Sequence, residues 1–147
     1  MSIINKYYYN RLTLFVVLTI MGFILLSSCA KKANFLVSSV TPAAKGSVKI
    51  KKDNNKNYMI KIKIANLAEP SRLQPPKSVF VVWMVSNNAN PKNIGQIKSS
   101  SNFMSSKLTA YFETVSSVKP NKLFITAEDD ANIQYPVSPI ILTTGTF

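Results

Sequence analysis

The chain reads as an all-β protein, an antiparallel sandwich of immunoglobulin or fibronectin type with about seven strands, preceded by a helical N-terminal segment. Three observations predict this. From residue 47 onward, apolar side chains alternate with lysine or polar ones at period two, the spacing of a strand with one wet face. Clusters of Asn, Asp and Pro interrupt these runs at short intervals. Beyond the N-terminal apolar stretch, no run carries the apolar stripe of an amphipathic helix. Many short strands divided by turn residues are what two packed antiparallel sheets require.

The elements follow in order. Val48 and Ile50 alternate with Lys49 and Lys51. Asp53, Asn54, Asn55 and Asn57 then supply turn chemistry, because short Asx side chains bond the nearby backbone and tolerate left-handed conformations. Tyr58, Ile60, Ile62 and Ile64 alternate with Met59, Lys61, Lys63 and Ala65, completing a hairpin with an isoleucine face inward and a lysine face in water. Pro70, Pro75 and Pro76 mark a loop, since proline lacks the N–H that a ladder needs. Val79–Val85 is apolar on both faces and predicts a central strand covered from two sides. Residues 87–93, with Pro91, read as a turn, 94–98 as a short strand and 99–106 as a polar loop. Residues 107–114 alternate again, with Leu108, Ala110 and Phe112 as the inward set. Pro120 and Asn121 turn the chain into a strand over 123–128; a proline-bearing loop over 129–139 leads to the last strand, 140–144.

The N-terminus has a different logic. Lys6 and Arg11 precede an apolar run over residues 12–26, shorter than the ~20 residues a helix needs to cross a bilayer. A charged start, a short apolar core and small residues before a cleavage point describe an export signal. An uncleaved signal-anchor, with Tyr7, Tyr8 and Tyr9 at the membrane interface, is the alternative. Leu26-Ser27-Ser28-Cys29 closes the run and resembles the lipobox of bacterial lipoproteins, an aliphatic residue and two small ones before a cysteine. The resemblance implies cleavage between Ser28 and Cys29, and a diacylglyceryl anchor on the Cys29 sulfur. The chain then divides into a signal peptide (1–28), a lipidated tether (29–46) and a β-sandwich domain (47–147), working outside the cytoplasm in the cell envelope. Residues 35–40 within the tether could instead pair as an extra edge strand. Inner and outer membrane both remain open.

Composition narrows the chemistry. There is no histidine, which removes the commonest general base near neutral pH and every Ser-His or Cys-His pair. Cys29 is the single cysteine, so no disulfide can form within the chain. The carboxylates are Asp53, Glu69, Glu113, Glu128, Asp129 and Asp130, and only four glycines exist, none in a phosphate-binding loop. No catalytic residues, cofactor or metal are expected. The net charge of +12 speaks to partners rather than fold. An exported chain does not meet nucleic acid, which leaves anionic lipid, envelope polysaccharide or an acidic envelope protein.

Residues 79–144 also resemble the C-terminal extracytoplasmic domain of the anti-sigma-K factor family. The pieces are Phe80-Val81-Val82-Trp83-Met84-Val85, Ile94-Gly95-Gln96-Ile97, Leu123-Phe124-Ile125-Thr126-Ala127-Glu128, and Pro136-Val137-Ser138-Pro139 before Ile140-Ile141-Leu142-Thr143-Thr144-Gly145. The resemblance implies fold and location. It does not imply sigma-factor binding, which in that family belongs to a cytoplasmic domain ahead of the membrane. After Glu128 the family continues with proline and paired glycines, where this chain has Asp129-Asp130-Ala131-Asn132.

Three features could carry function. Lys49, Lys51, Lys61 and Lys63 project from one side of the first hairpin and could contact an anionic surface, or simply deter edge-to-edge aggregation. Glu128-Asp129-Asp130 offers oxygens to a cation, but no other acid is near in sequence, the spacing matches no cation-binding loop, and a solvated turn is the better explanation. Trp83, Phe80, Phe112 and Phe124 form a platform or, more economically, the sandwich core. The expected function is that of a non-catalytic, lipid-anchored interaction or sensing module. The alternative is an accessory component of an anti-sigma-type envelope signalling system.

Overall fold

The computed structural model describes residues 9, 11–18, 30–87, 89–102 and 105–147. Residues 11–18 are helical and expose Leu12, Phe15 and Val17. Among the described residues no helix is long and apolar enough to cross a membrane. The expected cleavage point, Ser28 and Cys29, lies outside the described residues.

The rest is all-β and antiparallel. The strands are β1 (Ala30–Asn34), β2 (Lys45–Lys52), β3 (Tyr58–Ala65), β4 (Val79–Val85), β5 (Lys92–Asn102), β6 (Ser105–Ser116), β7 (Lys122–Glu128) and β8 (Ile140–Thr143). They form one continuous curled sheet of eight strands, in the order β1-β2-β3-β6-β5-β4-β7-β8. The reason is β5. Its N-terminal half pairs with β4 and its C-terminal half with β6, so one unbroken strand joins what would otherwise be two sheets. A bulge at the Val82/Trp83 step bends the β4–β5 ladder, and Gly95 sits there with φ +133°, facing the Phe112 ring. Curling brings the two ends of the sheet together through a single bridge, Phe35 to Thr144. Leu36 N–H donates to the Thr143 carbonyl at 2.8 Å beside it.

Period-two alternation places the core as expected. Val48, Ile50, Ile60, Ile62 and Ile64 are buried from one half of the sheet, and Phe80, Val82, Met84, Leu123 and Ile125 from the other. Each such side chain contributes about 1.5–3 kcal/mol on burial. The β2–β3 turn is closed by Asp53, whose carboxylate accepts the Asn57 N–H at 2.8 Å, with Lys56 left-handed at φ 66°. Val79–Val85 is central and covered on both faces, as its composition predicts.

Three local expectations change. The 99–106 stretch, expected as a polar loop, is strand at Ser99, Asn102 and Ser105, because serine backbones complete the β5–β6 ladder without needing an apolar face. Ala30–Asn34, within the expected tether, is the edge strand β1 against β2. Trp83 is fully buried but not between the two halves of the sheet. The strand's alternation turns Phe80, Val82 and Met84 inward and leaves Trp83 with Val81 and Phe124 on the outer face, under residues 129–139.

Candidate functional site

The outer face of the β2–β3–β6 region gathers the lysines. Register sets Lys49 directly opposite Lys61, and Ser47 opposite Lys63; on the next strand Glu113 faces Lys61 and Tyr111 faces Lys63. β1 adds Lys32 opposite Lys49. Like charges in direct cross-strand register repel, so two devices offset the cost. Glu113 bonds Lys61 at 3.0 Å, and the Lys63 ammonium lies 5.3 Å from the centre of the Tyr111 ring. The Lys61–Glu113 pair is about half exposed on both sides, so it contributes little to stability. Lys32, Lys49 and Lys51 are exposed without an ion pair among the described residues. The surface is a shallow groove lined by Lys32, Lys49, Lys61, Lys63, Tyr111 and Glu113. It suits a broad anionic surface better than a small enclosed ligand.

All four lysines singled out in the sequence therefore share one face. Sequence reasoning missed Lys32, Tyr111 and Glu113, because their place on it depends on β1 and β6, which pair with the hairpin only in the fold. The signal available was the alternation Thr109-Tyr111-Glu113-Val115, the outward complement of the predicted inward set. Asp53, the one acid near these lysines in sequence, is committed to its own turn.

The Glu128-Asp129-Asp130 run separates into three unrelated tasks. Glu128 is 2% exposed and accepts hydrogen bonds from Val137 N–H and Ser138 N–H at 3.2 Å, and from Ser138 Oγ at 2.8 Å. Burial pushes its carboxyl upward, but bonds from Thr126, Ser138 and Val137 together outweigh that and hold it below the ordinary glutamate range. Asp129 pairs with Lys77 at 2.7 Å, and Asp130 caps the Asn132 N–H at 2.9 Å. Among the described residues, no group of His, Cys, Asp and Glu is placed to hold a metal ion.

The aromatic residues also divide. Trp83 stacks on Phe124 with ring centroids 6.2 Å apart and donates its Nε1–H to Thr126 Oγ1 at 2.8 Å, wholly buried. Phe80 lies in the main core, with Phe112 packed against it from the side. Glu128 and Asn93 pin the covering loop, the latter donating to the Ala131 and Ile133 carbonyls at 2.8 and 3.0 Å. These rings hold the loop down and present no open platform. No family model, curated protein or solved structure matches the chain.

Proposed function

We propose that this chain is a non-catalytic, lipid-anchored protein of the cell envelope that binds an acidic partner through its lysine face. The observation that carries the reading is the register itself, which sets Lys32, Lys49, Lys61 and Lys63 side by side with one carboxylate, Glu113, among them. The face begins at Lys32, three residues after Cys29 in sequence, the residue to which the lipobox resemblance assigns the diacylglyceryl anchor. Ser28 is the last residue of the cleaved signal in the same reading. The partner is an acidic envelope protein or an anionic lipid surface, and neither nucleic acid nor a cofactor takes part.

The finer fold reading, an immunoglobulin- or fibronectin-type sandwich, draws support from strand order. The neighbours β2-β3-β6 and β4-β7-β8 follow the A-B-E and C-F-G orders of that architecture, with β5 crossing from one half to the other. That topology keeps alive the second functional reading, an accessory component of an anti-sigma-type envelope signalling system, to which the resemblance of residues 79–144 points.

Two measurements test the proposal. Radiolabelled palmitate incorporated by the parent and lost in Cys29→Ala supports the anchor; an unlabelled parent that keeps residues 1–28 overturns it. Salt-sensitive binding to polyglutamate that falls at least ~10-fold in Lys49→Glu/Lys61→Glu/Lys63→Glu supports the face. Unchanged binding makes the lysines a solubilising device.

A further inference from the structure

We propose that the rim of the curled sheet beside Cys29 docks on anionic phospholipid headgroups, so that the domain stands on this rim and leaves its lysine face free. The inference rests on the lipid-anchor reading and decides which basic surface meets the bilayer. In an antiparallel sheet the strand ends and turns alternate between two rims, and the ladders fix which residues share one. Ala30 opposes Lys51, Lys52 opposes Tyr58, and Tyr58 opposes Ser116. Residues 114–118 line a groove together with Ser86, Lys92 and Ile94. Val85 opposes Lys122, and Asn121 accepts the Phe147 N–H through its carbonyl at 2.9 Å. These contacts place the β2–β3, β4–β5 and β6–β7 turns at the end of the sheet where β1 begins, at Ala30, although at the closing seam β8 meets Phe35 at the other end of β1.

Charge is divided unevenly between the rims. The rim at Ala30 carries Lys52, Lys56, Lys92, Lys119 and Lys122, against Asp53, which is turned into its own loop. All but Lys122 are exposed, and Val118 projects among them, 47% exposed. The opposite rim holds Glu69, Glu128, Asp129 and Asp130, matched by Lys45, Arg72, Lys77 and Lys107. The domain is thus basic at the anchored end and nearly neutral at the other. β1 begins at Ala30, the residue after Cys29 in sequence, so a lipid on that sulfur would hold this rim near headgroup height. Basic residues so placed are drawn to an anionic leaflet within a Debye length. An apolar valine among them can settle at the headgroup boundary. The lysine face, by contrast, lies along the strands and points to the side, toward a partner in the envelope.

The test uses the mature lipidated protein in vesicles. Once Cys29 carries its thioether, an introduced cysteine is the sole free thiol, and its reaction with a water-soluble maleimide reports burial. We choose Asn55→Cys on the basic rim, Asn132→Cys on the opposite rim and Tyr111→Cys on the lysine face; all three positions are exposed. In phosphatidylcholine vesicles containing phosphatidylglycerol, Asn55→Cys should react at least ~10-fold more slowly than in phosphatidylcholine alone, with the other two unchanged. Adding Lys52→Glu, Lys56→Glu and Lys119→Glu should restore the fast rate. Protection at Tyr111→Cys instead, or at none of the three, overturns the proposal. Should the parent itself react with maleimide, Cys29 is unlipidated and the anchor reading fails. The rim then stands or falls on sedimentation of the unlipidated chain with the same vesicles, which the triple reversal weakens ~100-fold or leaves unchanged.

Discussion

Glu128→Gln is the most exacting test of how the outer face is built. The parent carboxylate collects two backbone N–H donors and the Ser138 hydroxyl, while Thr126, holding Trp83 through its Oγ1, bonds it from the strand side. Glutamine keeps the volume but carries one acceptor oxygen, so its amide nitrogen must face donors that the carboxylate satisfied. Hydrogen bonds to a charged group contribute about 1.5–3 kcal/mol each, and one is lost or weakened with the charge of the others, so the variant should lose about 2 kcal/mol at neutral pH. For a domain of this size that is a fall of roughly 8 °C in Tm. The pH dependence follows from the lowered pKa. A carboxyl whose folded value lies below its unfolded one contributes fully above the unfolded value and loses the contribution as pH falls through the folded one. The gap between parent and variant should therefore be constant near neutrality and close in acid. Urea unfolding followed by Trp83 emission measures it without a label, because Trp83 is the single tryptophan and lies directly beneath the clamped loop. A variant as stable as the parent at neutral pH, or a gap that persists into acid, would refute the reasoning.

Two further outcomes are expected. Gly95→Ala should cost more than ~1 kcal/mol in urea unfolding, because φ +133° disfavours any Cβ and the new atom would lie 2.9 Å from Phe112 Cε2. Glu113→Gln should change stability by less than ~0.5 kcal/mol, since the pair with Lys61 is exposed. It should strengthen binding to polyglutamate, read by the salt titration used for the lysine variants, because it removes the one acid on that face; weaker binding would count against the face as the contact surface.

The first hairpin was legible because alternation is a local property. Ile60, Ile62 and Ile64 must all go to one side, and their lysine neighbours to the other, whatever the rest of the chain does. The doubly covered strand was legible for the same reason, since Val79–Val85 has no polar face to offer water. The Ser99–Asn102 portion of β5 was not, because its ladder is made by backbone groups that serine and any other residue share. β1 was missed similarly, for Ala30–Asn34 has no alternating apolar pattern and gains its place from the free edge of β2. Phe35 could be read as apolar but not as a closing element. Its position over Gly46, where a Cβ would lie 2.7 Å from its ring, becomes visible only when β2 is beneath it.

Local chemistry in the chain was enough to determine strand, turn and face: which side chains go inward, where Asx residues bend the backbone, and that four lysines share one surface. Tertiary structure decided everything that depends on which strands become neighbours. It made one curled sheet by letting β5 serve both halves, put Glu113 and Tyr111 beside the lysines, and turned Trp83 outward under a loop held by Glu128. The physical reason is that side-chain period is written every two residues, whereas pairing joins backbones far apart in sequence and is settled only when the whole core closes.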